Sequence, residues 1–343
     1  VFENSSRPYE VLIELEVGEN RTGVITDEQL INLVEYIKTK KHVILKGIFS
    51  HEGHTYKAPD RETAKILAEE SYKRTLRAAD LIRKCGDIVG KEMEEFHISV
   101  WLAPGMNIHR NPLCGRNFEY FSEDPLLTGK MAAAFVRGIQ SSGGSACPKH
   151  FACNNQESSR TINNSIVSQR ALREIYLKGF EICVKEAKPL NIMTSYNKIN
   201  GIWSHYNYDL ATTVLRKEWG FDGLVVTDWG GSNDHVKGVM CQSDLEMPAP
   251  GLSSARELVT AVKEGCLSME AFDLCVDQVL DAVLNLSKKE ETKKTDFDQK
   301  SHHALAKRAA AESAVLLKNE GNILPLKEKT KVALIGDFAF VPR

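Results

Sequence analysis

Asp228 is the residue in this sequence whose setting most invites chemistry, standing at the end of the apolar run G-L-V-V-T-D-W-G-G, Gly223 to Gly231. Leu224, Val225 and Val226 are continuous rather than alternating, the pattern of a strand covered on both faces in a parallel α/β sheet. The glycines after Trp229 let the chain turn away sharply. Ligands in such folds bind beyond the carboxyl ends of the strands, so a carboxylate there can react. By pattern alone, capping the next helix explains Asp228 equally well. Lys149 and His150 end a second apolar stretch, where two adjacent polar side chains are hard to explain as core. Asp244 and Glu246 close a third, and for them pairing with cations is the preferred reading.

These groups need strands to deliver them and helices to return the chain. Strands are expected at Val11 to Val17, Val43 to Phe49, Ile98 to Leu102, Ala146 to Phe151, Asn191 to Ser195, Leu224 to Val226 and Ser243 to Met247. Helices are expected after the capping box Thr26 to Gln29, from Pro59-Asp60 to about Lys84, after Asp124-Pro125, from Ser168 to Ala187, and from Asp209 to Gly220. Two more, Ser254 to Glu264 and Ser268 to Leu286, close the series. Lys288 to Lys300 reads as a charged link, and Val332 to Gly336 as the first strand of a further domain. About eight strands, each followed by a helix or loop, favour a (βα)8 barrel. No Cys, Met or Trp precedes Cys85, which marks a candidate seam between Arg83 and Gly90.

The 343 residues suffice for one large barrel or two modest domains. With 44 Lys plus Arg against 46 Asp plus Glu, the net charge of −2 argues against nucleic acid as a partner. No apolar run reaches the roughly eighteen residues of a membrane helix, so neither membrane partner nor span is expected. The eight cysteines lack zinc or disulfide spacing and read as reduced, buried thiols of a cytoplasmic protein. The start at Val1 suggests a piece of something longer.

Four stretches, in order, resemble glycoside hydrolase family 3: L-A-P-G-M-N-I-H-R-N-P-L-C-G-R-N-F-E-Y-F-S-E-D-P (Leu102 to Pro125), K-H-F-A-C-N-N-Q-E-S-S-R (Lys149 to Arg160), M-T-S-Y-N-K-I-N-G (Met193 to Gly201) and V-T-D-W-G-G. The resemblance spans Gly86 to Arg343 and implies a retaining exo-β-glycosidase of β-glucosidase type, with a β-glycoside ligand and no cofactor or metal. It implies that Asp228 is the nucleophile. Arg116, Lys149, His150 and Arg160 would grip sugar hydroxyls, and Tyr196 and Trp229 would form an aromatic wall. Arg116 and Lys149 are the cations expected to keep Asp228 ionised. Glu119, Glu123 and Glu157 read as orienting the loop arginines, His109 and His205 as loop or core histidines, and Trp101, Trp203 and Trp219 as packing.

The resemblance departs from the family at both ends. Glu10 to Lys84, with E-V-G-E-N-R-T-G-V and G-I-F-S-H-E-G-H, instead resembles the barrel of D-threonine aldolase and alanine-racemase-like enzymes. The residues that would hold pyridoxal phosphate are not matched, so that cofactor is not expected, and His51 and His54 read as leftover loop histidines rather than metal ligands. The family's acid/base Glu comes from a later domain, and K-H-F-A-C-N-N lacks the second His that one subgroup uses. The expectation is therefore a hybrid barrel in three parts: residues 1–84, 85–287, and 288–343 leading into a truncated α/β domain. Its glycosidase activity would be weak or lost; an inactive scaffold is the rival, and a pyridoxal-phosphate enzyme is disfavoured.

Overall fold

The structure is a computed structural model, and it describes residues 9–15, 32–33, 36–37, 43–50, 61–249, 251–290, 297–314, 316–333 and 335–336. The chain divides into two compact units, Val1–Asp80 and Leu81–Arg343. In the first, β1 (Tyr9–Leu15) pairs in parallel with β2 (Val43–Ser50), Tyr9 opposite Val43, and the register slips between Val11 and Leu12. The capping box at Thr26 and the His51–His54 loop lie outside the described residues.

Helix α1 runs from Arg61 to Glu95, without the break expected near Lys84. Gly86 and Gly90 are where α1 crosses α2 (Pro125–Ser141). A Cβ on Gly86 would meet the Phe135 carbonyl at 2.3 Å, and one on Gly138 would meet the Arg83 carbonyl at 2.1 Å. Glycine is there for backbone contact, and the helix continues through it. Asp124 caps α2, accepting from the Leu126 N–H at 2.8 Å with Pro125 at the first helical position.

The second unit holds parallel strand segments that neighbour one another in chain order. β3 (Val100–Trp101) pairs with β4 (Ser145–Ala146), and Phe151, just beyond β4, bonds to Met193 and Ser195. β6 (Asn191–Met193) pairs with β9 (Leu224–Val226), and Val226 bridges in parallel to Leu245. Helical segments connect them: α2, the Gln169–Ala187 stretch opened by the Ser168 cap and containing α3 (Lys178–Ala187), Asp209–Glu218, and α4 (His235–Met240). This is an α/β unit with the expected alternation. Its core joins Met93, Ile139, Phe151, Phe180, Leu215 and Val225. Phe151 packs edge-on against Phe180 at 5.2 Å and Trp219 at 5.9 Å. A side sheet of β5 (Asn164–Ser165), β7 (Lys198–Ile199) and β8 (Ile202–Trp203) closes with a hairpin at Asn200-Gly201, both at positive φ.

After α5 (Leu252–Lys263) and α6 (Met269–Glu290), the charged stretch contributes to a helix the sequence reading missed, α7 (Gln299–Glu312). Asp298 caps it, and His302 is buried with Nδ1 2.8 Å from Glu92. Val332 to Gly336 forms no strand among the described residues, and Ile335 is 90 % exposed. All eight cysteines are free thiols, five of them buried. Among the described residues, no helix is long and apolar enough to cross a membrane.

Candidate active site

Strand β9 is buried at all three residues and hands over directly to Asp228. The chain then turns: Gly230, at φ 75°, donates to the Met247 carbonyl, and the Gly231 N–H returns to the Asp228 carbonyl at 2.8 Å. Asp228 caps no helix; that task falls to Asp234, which accepts from the Lys237 N–H. The Asp228 side chain is buried, its Oδ1 accepts the Trp229 N–H at 2.7 Å, and its Oδ2 has no hydrogen-bond partner.

Facing that oxygen is His150, whose Nε2 lies 3.6 Å away and is equally unpartnered. Asn107 clamps the His150 backbone from both sides, accepting its N–H at 2.8 Å and donating to its carbonyl at 2.9 Å. The Tyr120 hydroxyl stands 3.3 Å from Nδ1. Burial first, then the charges of Arg116, Lys149 and Arg160, push His150 well below the ordinary histidine value. The facing pair is therefore a neutral imidazole and a carboxyl group, not an ion pair. Buried polar atoms are seldom left unbonded, and two that face each other mark a place for a ligand's donors and acceptors.

The predicted cations gather around this pair through acidic partners. Arg116 bonds Glu119 through Nε, and Lys149 Nζ is 3.8 Å from the other Glu119 oxygen. Arg160 bonds Glu157 at 3.1 Å and lies over the Tyr196 ring, 4.7 Å from its centroid. Tyr196 donates to the Trp229 carbonyl at 2.7 Å, and the Trp229 side chain is half exposed. Burial raises the Asp228 carboxyl above the ordinary carboxylate value, against the pull of the Trp229 N–H, Arg116 and Lys149. Arg116 and Lys149 pull the carboxyl down, the direction expected of them, but they do not set the net direction. Desolvation outweighs them, and both cations are also in contact with Glu119.

The comparisons now bear on this arrangement. Residues 64–282 match the glycosyl hydrolase family 3 N terminal domain. The chain belongs to glycosyl hydrolase family 3. Residues 2–92 also match the alanine racemase N-terminal domain. Thermostable beta-glucosidase B of Acetivibrio thermocellus is 47 % identical over 265 residues, covering 77 % of this chain and 35 % of that protein. An exo-alpha-(1->6)-L-arabinopyranosidase of Bifidobacterium longum is 42 % identical, covering 77 % and 36 %. Beta-glucosidase 3B of Thermotoga neapolitana, solved with alpha-D-glucose, superposes with a TM-score of 0.70 at 46 % identity, covering 75 % of this chain and 37 % of that one. The chain thus spans about a third of the length of these relatives.

Within this family 3 unit, all seven residues singled out from the motifs lie at or just beyond strand ends, or in the loops that join them. Sequence reading missed Asn107, Tyr120 and Asn154. Asn154 donates to the Tyr120 hydroxyl at 3.2 Å and to Glu157 at 3.0 Å, linking the His150 side of the site to Arg160. Nothing in their spacing separates them from loop filler. His109 and His205 serve loops as expected: His109 Nε2 lies 3.0 Å from the Asn117 and Tyr120 carbonyls, and His205 Nε2 accepts the Asn233 N–H at 3.2 Å. Among the described residues no His, Cys, Asp and Glu cluster could hold a metal ion.

Proposed function

We propose that this chain is the nucleophile-bearing part of a retaining exo-β-glycosidase of β-glucosidase type. Asp228 Oδ2 attacks the anomeric carbon, the bond to the leaving oxygen breaks, and water later hydrolyses the glycosyl ester. Arg116, Lys149, His150 and Arg160 donate to the sugar hydroxyls, while Tyr196 and Trp229 cover an apolar sugar face. The observation that carries this reading is the pair of buried, unpartnered atoms, Asp228 Oδ2 and His150 Nε2, facing each other at 3.6 Å. The β-glucosidase names of the relatives support a glucoside as substrate.

A retaining enzyme also needs a protonated acid about 5 Å from the nucleophile. Glu119 and Glu157 are each engaged by an arginine and orient it instead. With neither of these glutamates free to serve as that acid, departure of an ordinary alcohol is expected to lose roughly 10²- to 10⁴-fold, leaving activity weak on natural glycosides. The accompanying fold reading is a (βα)8 barrel of hybrid origin, residues 1–84 from the racemase-like family and 85–287 from family 3, with 288–343 leading into a further α/β domain. The two family matches and the parallel strand order support it. Free thiols suit a cytoplasmic setting.

A dinitrophenyl β-glucoside, whose leaving group needs no proton, tests the role of Asp228. Turnover is expected from the chain as it stands, falling about 10⁴-fold or more in Asp228→Asn. Equal turnover by the variant overturns the assignment.

A further inference from the structure

Neighbouring residues in the loop after Phe151 divide between two settings. Asn154, Glu157 and Arg160 bond one another, Tyr120 or the Tyr196 ring, as described above. Asn155 and Gln156 instead line another cavity of about 370 Å³, to which none of the seven site residues contributes. That volume falls within the about 300–1,000 Å³ of small-molecule pockets.

The lining of this cavity selects a chemistry. Asn163 and Asn164 join Asn155 and Gln156, with Arg110 and Tyr176 also on the wall, and no carboxylate is present. The Arg110 Nε donates to the Tyr176 hydroxyl at 3.1 Å, which fixes the ring and leaves the outer guanidinium nitrogens to a ligand. Asn155 commits one donor to the Ile108 carbonyl and Gln156 one to the Ser158 carbonyl, so their side-chain oxygens remain available. The Asn163 carboxamide makes no hydrogen bond among the described residues. Carboxamides donate and accept, which complements a hydroxyl group that does both. A cation would find no carboxylate, and an anion would meet several carbonyl oxygens for one guanidinium. Tyr176, half-buried and packed against the core, also lines the cavity and brings an aromatic group of the kind that covers a pyranose face.

We infer that this cavity is a second carbohydrate site, taking one neutral glycosyl unit. It does not depend on the chemistry assigned to Asp228. The unit is either a free monosaccharide or one residue of an oligosaccharide.

Side-chain amide resonances of the full chain, followed by NMR during titration with glucose, cellobiose and inorganic phosphate, test the inference. Glucose or cellobiose is expected to shift the Gln156 and Asn163 amides, and cellobiose binding more tightly identifies the source as an oligosaccharide. Asn163→Leu removes only an unbonded carboxamide, and is expected to weaken binding about tenfold, as for one lost polar contact. In Asp228→Asn the same amides still shift, which separates this site from the catalytic reading. No sugar-induced shift, a stronger response to phosphate, or undiminished binding by Asn163→Leu overturns the inference.

Discussion

Two buried aspartates flank strand β9, the side chain of Asp228 10 % exposed and that of Asp244 1 %, and they differ in how they are held. Beside the start of the strand, Asp244 Oδ2 accepts the Val225 N–H at 2.7 Å and the Arg216 guanidinium at 2.6 Å. Arg216 also donates to the Gly223 and Gln242 carbonyls, tying both strand segments together. At the other end, Asp228 has no lysine or arginine in direct contact among the described residues; Arg116 and Lys149 are engaged by Glu119. Its nearest basic group is a neutral imidazole. Each acid keeps one oxygen unpartnered, so the difference is the counter-ion: the strut touches its own, and the acid kept for a ligand has its counter-ions one residue removed.

Removing each acid should therefore have opposite effects on the fold. Asp244→Ala strands Arg216 in the interior and is expected to cost about 3–5 kcal/mol in urea unfolding. A loss below about 1 kcal/mol would mean the pair is no strut. Asp228→Asn is expected to stabilise the protein at neutral pH. Burial raises the folded-state pKa of Asp228, so its protonated form favours the fold and this contribution is lost as pH rises through the folded value. A neutral amide removes that cost, for a gain on the order of 1 kcal/mol, or about 2–4 °C in Tm. A lower Tm would show Asp228 to be a second strut. The smallest effect is on pH dependence. With its pKa raised, Asp228 should react along an acidic limb shifted upward from the ordinary Asp value. Glu119→Gln leaves the Arg116 and Lys149 charges uncompensated and should move that limb to lower pH. An unmoved limb would mean those cations do not act on Asp228.

Much of the site was legible because its residues end buried strands. The continuous run Leu224 to Val226 and the polar pair Lys149-His150 stand out against apolar neighbours, and the fold brings them together with Arg116, Arg160 and Tyr196. Asn107, Tyr120 and Asn154 were not legible. They act through single side-chain bonds across loops, where no period marks which face turns inward. The balance at Asp228 was misjudged because sequence shows the cations but not how Glu119 shares them, nor how deeply the carboxyl is buried. In the fold, the helix expected to end near Lys84 runs on to Glu95, and Gly86 and Gly90 within it let two helices touch. Helix Gln299–Glu312 was hidden because its start, Gln299 and Lys300, falls at the end of the charged link Lys288 to Lys300, although Asp298 stands at its cap.

The central claim is that the free oxygen of Asp228 is a nucleophile. Incubation with an activated 2-fluoro β-glucoside, followed by intact-mass measurement and peptide mapping, tests it most directly. A single added fluoroglucosyl mass on a peptide containing Asp228, absent from Asp228→Asn, is the predicted result; no added mass, or one that persists in the variant, would contradict the claim.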